Sequence, residues 1–175
     1  NINKESWYHF VATVSSGVHI SDLTIASHGS DYFKGKLDDI RFYTKVLNTK
    51  EIDALFYRQI SSSNMIGHWK FDETYGTRVY DSVSNNHGSY HYNQDKEKGI
   101  IIGKNSIVGK GVCLEGDNSY IGIGNTNITI SNDMTASLWV KPDSIFDIEK
   151  FRFKNYLLAH YKFDGNINDS SGNNL

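Results

Sequence analysis

Apolar and polar side chains alternate with a period of two along most of the chain. The alternation marks runs from Trp7 to Val14, Asp22 to Ala26, Leu37 to Tyr43, Ile66 to Phe71, Gly111 to Leu114, Ser119 to Ile123 and Thr135 to Val140. Each run is bounded by Gly, Asn, Asp or Ser clusters, which is how short strands joined by tight turns read. One segment departs from this period. From Thr49 to Tyr57, Ile52, Leu55 and Phe56 share a helical face, Asn48 can cap the first turn, and Glu51 stands where a capping box needs an acid. The pattern therefore predicts a β protein with one short helix, lying at the edge of the strands. Ser61-Ser62-Ser63-Asn64 reads as a polar linker and a module boundary.

Composition narrows the picture without changing it. The 175 residues carry 11 Tyr, 9 Phe and 3 Trp against one Pro, a β-favouring chemistry. A chain of this length buries about 70% of its unfolded surface if it folds as one domain, enough for one core or two small ones. Eighteen basic and 20 acidic side chains leave a net charge of −2. No electrostatic footprint for a phosphate backbone is present, so nucleic acid is not an expected partner. No apolar run approaches the length of a membrane span, so direct membrane insertion is not expected. The one cysteine, Cys113, sits in Val112-Cys113-Leu114, where a small buried hydrophobe is the expected role.

The chain also repeats itself. His68-Trp69-Lys70-Phe71-Asp72 recurs as His160-Tyr161-Lys162-Phe163-Asp164, and Asp81-Ser82-Val83-Ser84-Asn85-Asn86 as Asp169-Ser170-Ser171-Gly172-Asn173-Asn174. Two blocks in the same order, with a shorter spacer in the second copy, point to a duplicated unit.

The residues around these blocks resemble the laminin-G-like, concanavalin-type lectin family. Trp7 to Val14, Tyr32 to Tyr43, Val46-Leu47 and Glu51-Ile52 resemble the second half of such a domain. Met65 to Tyr90, Gly111 to Ile123 with its Gly116 to Tyr120 signature, and Met134 to Asp143 with Leu138 to Pro142 resemble the first half of another. Leu157 to Leu175 resembles a third opening. The resemblance implies an antiparallel jelly-roll β-sandwich. It divides the chain into residues 1–60 as the back half of one domain, 61–64 as linker, 65–154 as the front part of the next, and 155–175 as the start of a third. His68 and His160 are only 92 positions apart, fewer than a complete domain of this family spans. The expectation is a subset of a longer chain, with segments omitted around Ser15 to Ile20 and Ser144 to Asn155. It further implies a secreted or surface protein, with neighbouring repeats among its partners.

The candidate chemistry is sparse. Asp72, Asp81 and Asn85 supply the hard oxygen ligands that Ca²⁺ prefers, and the resemblance brings Asp38 near an Asp72-type position. By period two, Asp38 shares its side with Ile40 and Phe42, which turns an acid inward and demands a cation or donors. The competing role for these residues is turn capping. Asp164 to Leu175 begins like a calcium loop but carries Asp169 where the loop needs Gly and Leu175 where it needs Glu. No strand carries the spaced acids of a concanavalin-type glycosidase. Glu51-Ile52-Asp53 lacks a third acid and lies on the helix, so no enzyme is expected. His87 and His91, four apart, are a weak metal pair, while His68 is expected to pack or hydrogen-bond inside the sandwich. Trp7, Trp69 and Trp139 read as strand residues. Tyr90 and Tyr92, in a turn-rich segment, are the candidates for exposed stacking on a sugar or protein. The triplets at Asn127 and Asn168 arise by chance at this content of Asn, Ser and Thr. These readings converge on a non-catalytic module that contacts protein or glycan. The alternative is an accessory carbohydrate-binding domain of a larger glycoside hydrolase.

Overall fold

A computed structural model of the protein describes residues 6–14, 18–20, 23–28, 30–59, 62–93, 99–123, 128–130 and 133–143. The second copy of the repeat, the Asp164 loop, the Asn168 triplet and the stretch 144–155 lie outside these residues, as do residues 15–17. The strands are β1 (Tyr8–Val14), β2 (Val18–Ile20), β3 (Leu23–Ile25), β4 (Ser27–His28), β5 (Asp31–Tyr32) and β6 (Lys34–Tyr43). After the helix α1 (Thr49–Phe56) come β7 (Met65–Trp69), β8 (Arg78–Val79), β9 (Gly88–His91), β10 (Ile100–Asn105), β11 (Lys110–Glu115), β12 (Tyr120–Ile123), β13 (Ile128–Ile130) and β14 (Met134–Pro142).

A large sheet has the order β1-β14-β6-β11-β10, with β7 also on β6, and a smaller sheet has the order β3-β12-β9-β8. All pairings are antiparallel. The ten-residue β6 is the organiser. One of its edges carries β14, while the other is shared by β11 against Lys34 to Leu37 and β7 against Ile40 to Tyr43. Strands from both sides of 61–64 interleave, since β14 lies between β1 and β6. The two sheets enclose one core. Leu37, Ile40, Phe42, Trp69, Val112, Leu114, Met134 and Val140 from the large sheet meet Val79, Tyr90, Ile121 and Ile123 from the small one. Each such aliphatic or phenyl side chain contributes about 1.5–3 kcal/mol by leaving water.

Helix α1 is capped as its sequence predicts. The Asn48 side chain accepts from Glu51 N at 3.1 Å and the Glu51 carboxylate accepts from Asn48 N at 3.0 Å. Its position differs from the expected edge. Ile52 and Leu55 pack with Leu47 on Val11 and Tyr43, so the helix covers the outer face of the large sheet. Thr135 Oγ1 accepts from Leu47 N at 3.0 Å and donates to Lys45 O at 2.7 Å, tying the helix approach to β14.

A bulge in β6 corrects the period-two reading of Asp38. Asp39 has φ 52°, and β6 needs one more residue than β14 between the pairs Arg41↔Ser137 and Asp38↔Trp139. Leu37, Ile40 and Phe42 all enter the main core, a spacing of three and then two. Asp38 is therefore on the side opposite to Ile40 and Phe42, beside Trp139 on the helix-covered face. It is fully buried all the same.

Candidate functional site

The outer face of the small sheet carries an aromatic stack flanked by two open hollows. In β9, Gly88 and Tyr90 point to the core while Ser89 and His91 are exposed; in β12, Ile121 and Ile123 are buried while Tyr120 and Gly122 are half-buried. Antiparallel register sets Tyr120 opposite His91 and Gly122 opposite Ser89. The His91 and Tyr120 rings stack with centroids 4.6 Å apart and planes 5° from parallel. Gly122 makes this possible, because a Cβ there would stand 2.9 Å from His91 Nε2 and 3.1 Å from Cδ2. The β4–β5 hairpin adds Tyr32, whose ring centroid lies 6.4 Å from that of Tyr120.

Two open hollows flank this stack. The larger, about 650 Å³, is lined by Thr77, Tyr90, His91, Tyr92, Asn93, Asn118 and Tyr120. The smaller, about 390 Å³, has Thr24, His87, Ser89 and Gly122 among its walls. His91 and Tyr120 belong to both. Asn118 is delivered by a turn in which Gly116, Asp117 and Asn118 all have positive φ, of 73°, 49° and 66°. Ser119 Oγ clamps that turn by donating to Gly99 O at 2.6 Å.

Of the two tyrosines picked out as exposed stackers, Tyr92 is exposed, but Tyr90 belongs to β9 and is only 5% exposed. Its hydroxyl donates to Glu73 Oε2 at 3.4 Å, and burial, then the Glu73 charge, push the phenol above its usual range. His91 and Tyr120 replace Tyr90 as the stacking pair. The signal was present in Gly88-Ser89-Tyr90-His91, where alternation sends Ser89 and His91 outward once the four residues are read as a strand.

The candidate calcium ligands fall into two places. Asp81 is committed to a turn that seals the free edge of β7. Its Oδ1 accepts from His68 N at 2.9 Å and Val83 N at 3.0 Å, its Oδ2 accepts from Ser84 Oγ, and Ser82 N donates to His68 O at 2.9 Å. Burial pushes the Asp81 carboxyl up, but these donors outweigh it and hold it below the usual range. Asn85 is exposed in the same turn. Asp38 and Asp72, by contrast, are electrostatic neighbours at the loop before β11. Asp38 Oδ2 accepts from Val108 N at 2.9 Å, and Asp72 Oδ1 from Lys110 N at 2.8 Å. Burial raises the Asp38 carboxyl to about 7. Among the described residues no group of three or more His, Cys, Asp or Glu side chains assembles.

The remaining titratable groups are built into the scaffold. Asp39 holds Arg41 through Oδ2 and Nη2 at 2.8 Å and lies 2.6 Å from His68 Nε2, which donates to it. Burial raises Asp39, and the His68 hydrogen bond with the Arg41 guanidinium overcomes it, leaving the carboxyl below the usual range. His9 packs on Trp139 at 4.9 Å under Phe56, and burial drives its imidazole down to about 3. His87 accepts from Asp81 N at 3.0 Å through Nδ1, so it and His91 serve different neighbours. Cys113 is buried as expected of a core thiol, and burial raises its pKa.

Comparison with protein-family models, curated proteins and solved structures yields no match. The class of protein these observations define is thus an all-β one, with antiparallel sheets packed face to face and one short helix.

Proposed function

We propose that this chain is a non-catalytic recognition module of the laminin-G-like, concanavalin-type jelly-roll kind, part of a tandem array in a secreted or surface protein. It meets a protein or glycan through the outer face of the small sheet. The observation that carries this reading is the His91–Tyr120 stack standing between two open hollows on the sheet face. Stacked rings with amides and hydroxyls around them hold a ligand by contact and hydrogen bonding. The same aromatic stack suits the second reading, an accessory carbohydrate-binding domain of a larger hydrolase. A structural Ca²⁺, on the family reading, is held at Asp38 and Asp72, whose carboxylates are electrostatic neighbours and supply hard oxygen ligands. The test is a ¹⁵N-labelled chain titrated with candidate proteins and with a neutral and acidic glycan panel. Shifts centred on residues 88–93 and 118–122 are expected; saturable binding that shifts only residues of α1 or β1 overturns the assignment of the face.

A further inference from the structure

Resting on that recognition reading, we infer that the face takes an acidic segment of a partner polypeptide, laid in extended form across the small sheet with one Asp or Glu carboxylate on Arg78. Strand register lines up the site. Arg78 stands opposite Ser89, Ser89 opposite Gly122, and Gly122 opposite Thr24, so one residue from each of four strands forms a straight row across the sheet. Arg78, Ser89 and Thr24 are exposed and Gly122 is half-buried. Thr24, Ser89 and Gly122 line the smaller hollow, and Arg78 stands beside it at the β8 end of the row. Aromatic rings stand on both sides. Tyr80 meets His87 edge-on at 5.4 Å on one side, and the His91–Tyr120 stack stands on the other.

The guanidinium is held ready for an acid. Its carbon lies 5.4 Å from the centroid of the Tyr80 ring, within cation–π range, and such a contact uses the face of the group while leaving its N–H edge for a carboxylate. Among the described residues no carboxylate forms an ion pair with Arg78. Glu73, the acid that reaches β8, accepts instead from Tyr80 N at 2.9 Å and from the Tyr90 hydroxyl at 3.4 Å. Arginine grips a carboxylate bidentately, so an acid at one end of the ligand is matched in shape as well as in charge. Beyond it, the Ser89 and Thr24 hydroxyls each donate and accept, which suits the N–H and C=O groups that an extended peptide presents in turn. Strands about 4.8 Å apart make the row about 14 Å long, the reach of about four extended residues. Gly122 keeps the middle of the row open, because a Cβ there would stand 2.9 Å from His91 Nε2. A sulfated polysaccharide repeats its charge on successive units, whereas the row offers its guanidinium at one end and hydroxyls along the rest.

The experiment titrates the full chain with pools of acetylated, amidated hexapeptides that fix Glu at one position and randomise the rest. Pools with Gln at that position, and sulfated and sialylated glycans, serve as comparison. Fluorescence anisotropy ranks the pools, and calorimetry follows the best acidic sequence. Glu pools should bind about tenfold tighter than Gln pools, and the best acidic peptide should weaken as salt rises. Its affinity should fall about tenfold in Arg78→Gln, by a smaller factor in Arg78→Lys, which keeps the charge but loses the fork, and about threefold or more in His91→Ala. Gly122→Ala, which narrows the row, should cause a loss like that of Arg78→Gln, while Arg58→Ala beyond α1 should leave affinity unchanged. Arg78→Gln and Arg78→Lys, at an exposed position, keep the test decisive if Gly122→Ala does not fold. Peptide binding that ignores Glu against Gln and survives Arg78→Gln, yet is lost in His91→Ala, overturns the acidic-peptide inference but leaves the recognition face. Binding restricted to glycans and lost in His91→Ala does the same. Binding that survives both Arg78→Gln and His91→Ala overturns both readings, as does no binding to any peptide, protein or glycan.

Discussion

The indole of Trp69 lies back over Gly67, and this contact can be perturbed from both sides. A Cβ at Gly67 would stand 2.5 Å from Trp69 Cη2 and 2.8 Å from Cζ3, far inside van der Waals contact. The indole cannot yield cheaply. It is fully buried, its Nε1 donates to Asn86 O at 2.9 Å, and it meets Phe42 edge-on at 5.6 Å. Gly67→Ala should therefore destabilise by about 1–3 kcal/mol as an overpacking substitution, reduced by up to about 1 kcal/mol because alanine restricts the unfolded chain. Trp69→Tyr removes the far edge of the indole and its hydrogen bond, at about 2–4 kcal/mol. In the double variant the new methyl group fills space that the shorter ring vacates, so the combined cost should fall below the sum by about 1–2 kcal/mol. The repeat carries this combination already, since Ala159-His160-Tyr161 aligns with Gly67-His68-Trp69. Urea unfolding of the four proteins at equal m-values gives the coupling directly. Additivity to within about 0.5 kcal/mol would refute the steric argument, and so would a neutral Gly67→Ala.

Other perturbations test the buried charges. Because the folded carboxyl of Asp38 is raised to about 7, the folded state keeps a proton that the unfolded chain has lost above about pH 4. The stability this group contributes is thus full below about pH 4 and declines as pH rises to about 7. Asp38→Asn should flatten the decline and stabilise the chain at pH 8 in chelator by at most about 4 kcal/mol, measured by urea melts from pH 4 to 8. If Ca²⁺ sits at Asp38, adding it should stabilise only the parent chain at pH 8. Arg41→Met should cost about 3–5 kcal/mol by leaving Asp39 buried and unpaired, with much of the loss recovered in Arg41→Met/Asp39→Asn; no recovery in thermal or urea melts would assign the loss to packing. Asp81→Ala should cost about 2–4 kcal/mol by orphaning His68 N and Val83 N, and hydrogen exchange at those two amides should accelerate ahead of the rest of β7.

Much of the scaffold was legible because its elements obey simple periods. β1, β7, β11, β12 and β14 lie in the alternating runs, and the Asn48–Glu51 box marks the start of α1 to the residue. Legibility ends where a single backbone conformation breaks the period. Asp39 at φ 52° shifts the register inside an apolar run, so counting by two places Asp38 on the wrong side. β10 escaped notice for a related reason: Ile100-Ile101-Ile102 has no alternation, and Gly103 at φ 71° adds a bulge against β11. In the small sheet β8 and β9 were not legible, since strands of two and four residues carry too few positions to show a period. The stacking pair was hidden by distance, because His91 and Tyr120 meet only through the pairing of β9 with β12. Residue types at Asp72, Asp81 and Asn85 suggest oxygen ligands, but which amide already fills each oxygen is a property of the fold alone.

The two outer faces of the sandwich are finished differently, which is why the proposed recognition is assigned to the small sheet. On the large sheet, α1 buries Val11 and Tyr43, and His9, Trp139, Arg41 and Asp39 lie beside it at 9% exposure or less. A ligand reaching that face must displace the helix, whose Ile52 and Leu55 alone bury apolar area worth about 3–6 kcal/mol. On the small sheet no helix intervenes among the described residues, and Ser89, His91 and Tyr92 are exposed without any rearrangement. The bulge at Asp39 belongs to the same division. It turns the charged part of β6 toward the covered face, where Asp39, Arg41 and His68 satisfy one another, and leaves the core between the sheets apolar. On the open face Arg78 stands opposite Ser89, and the register of β9 with β12 is kept by Tyr90 and Ile121 beneath it.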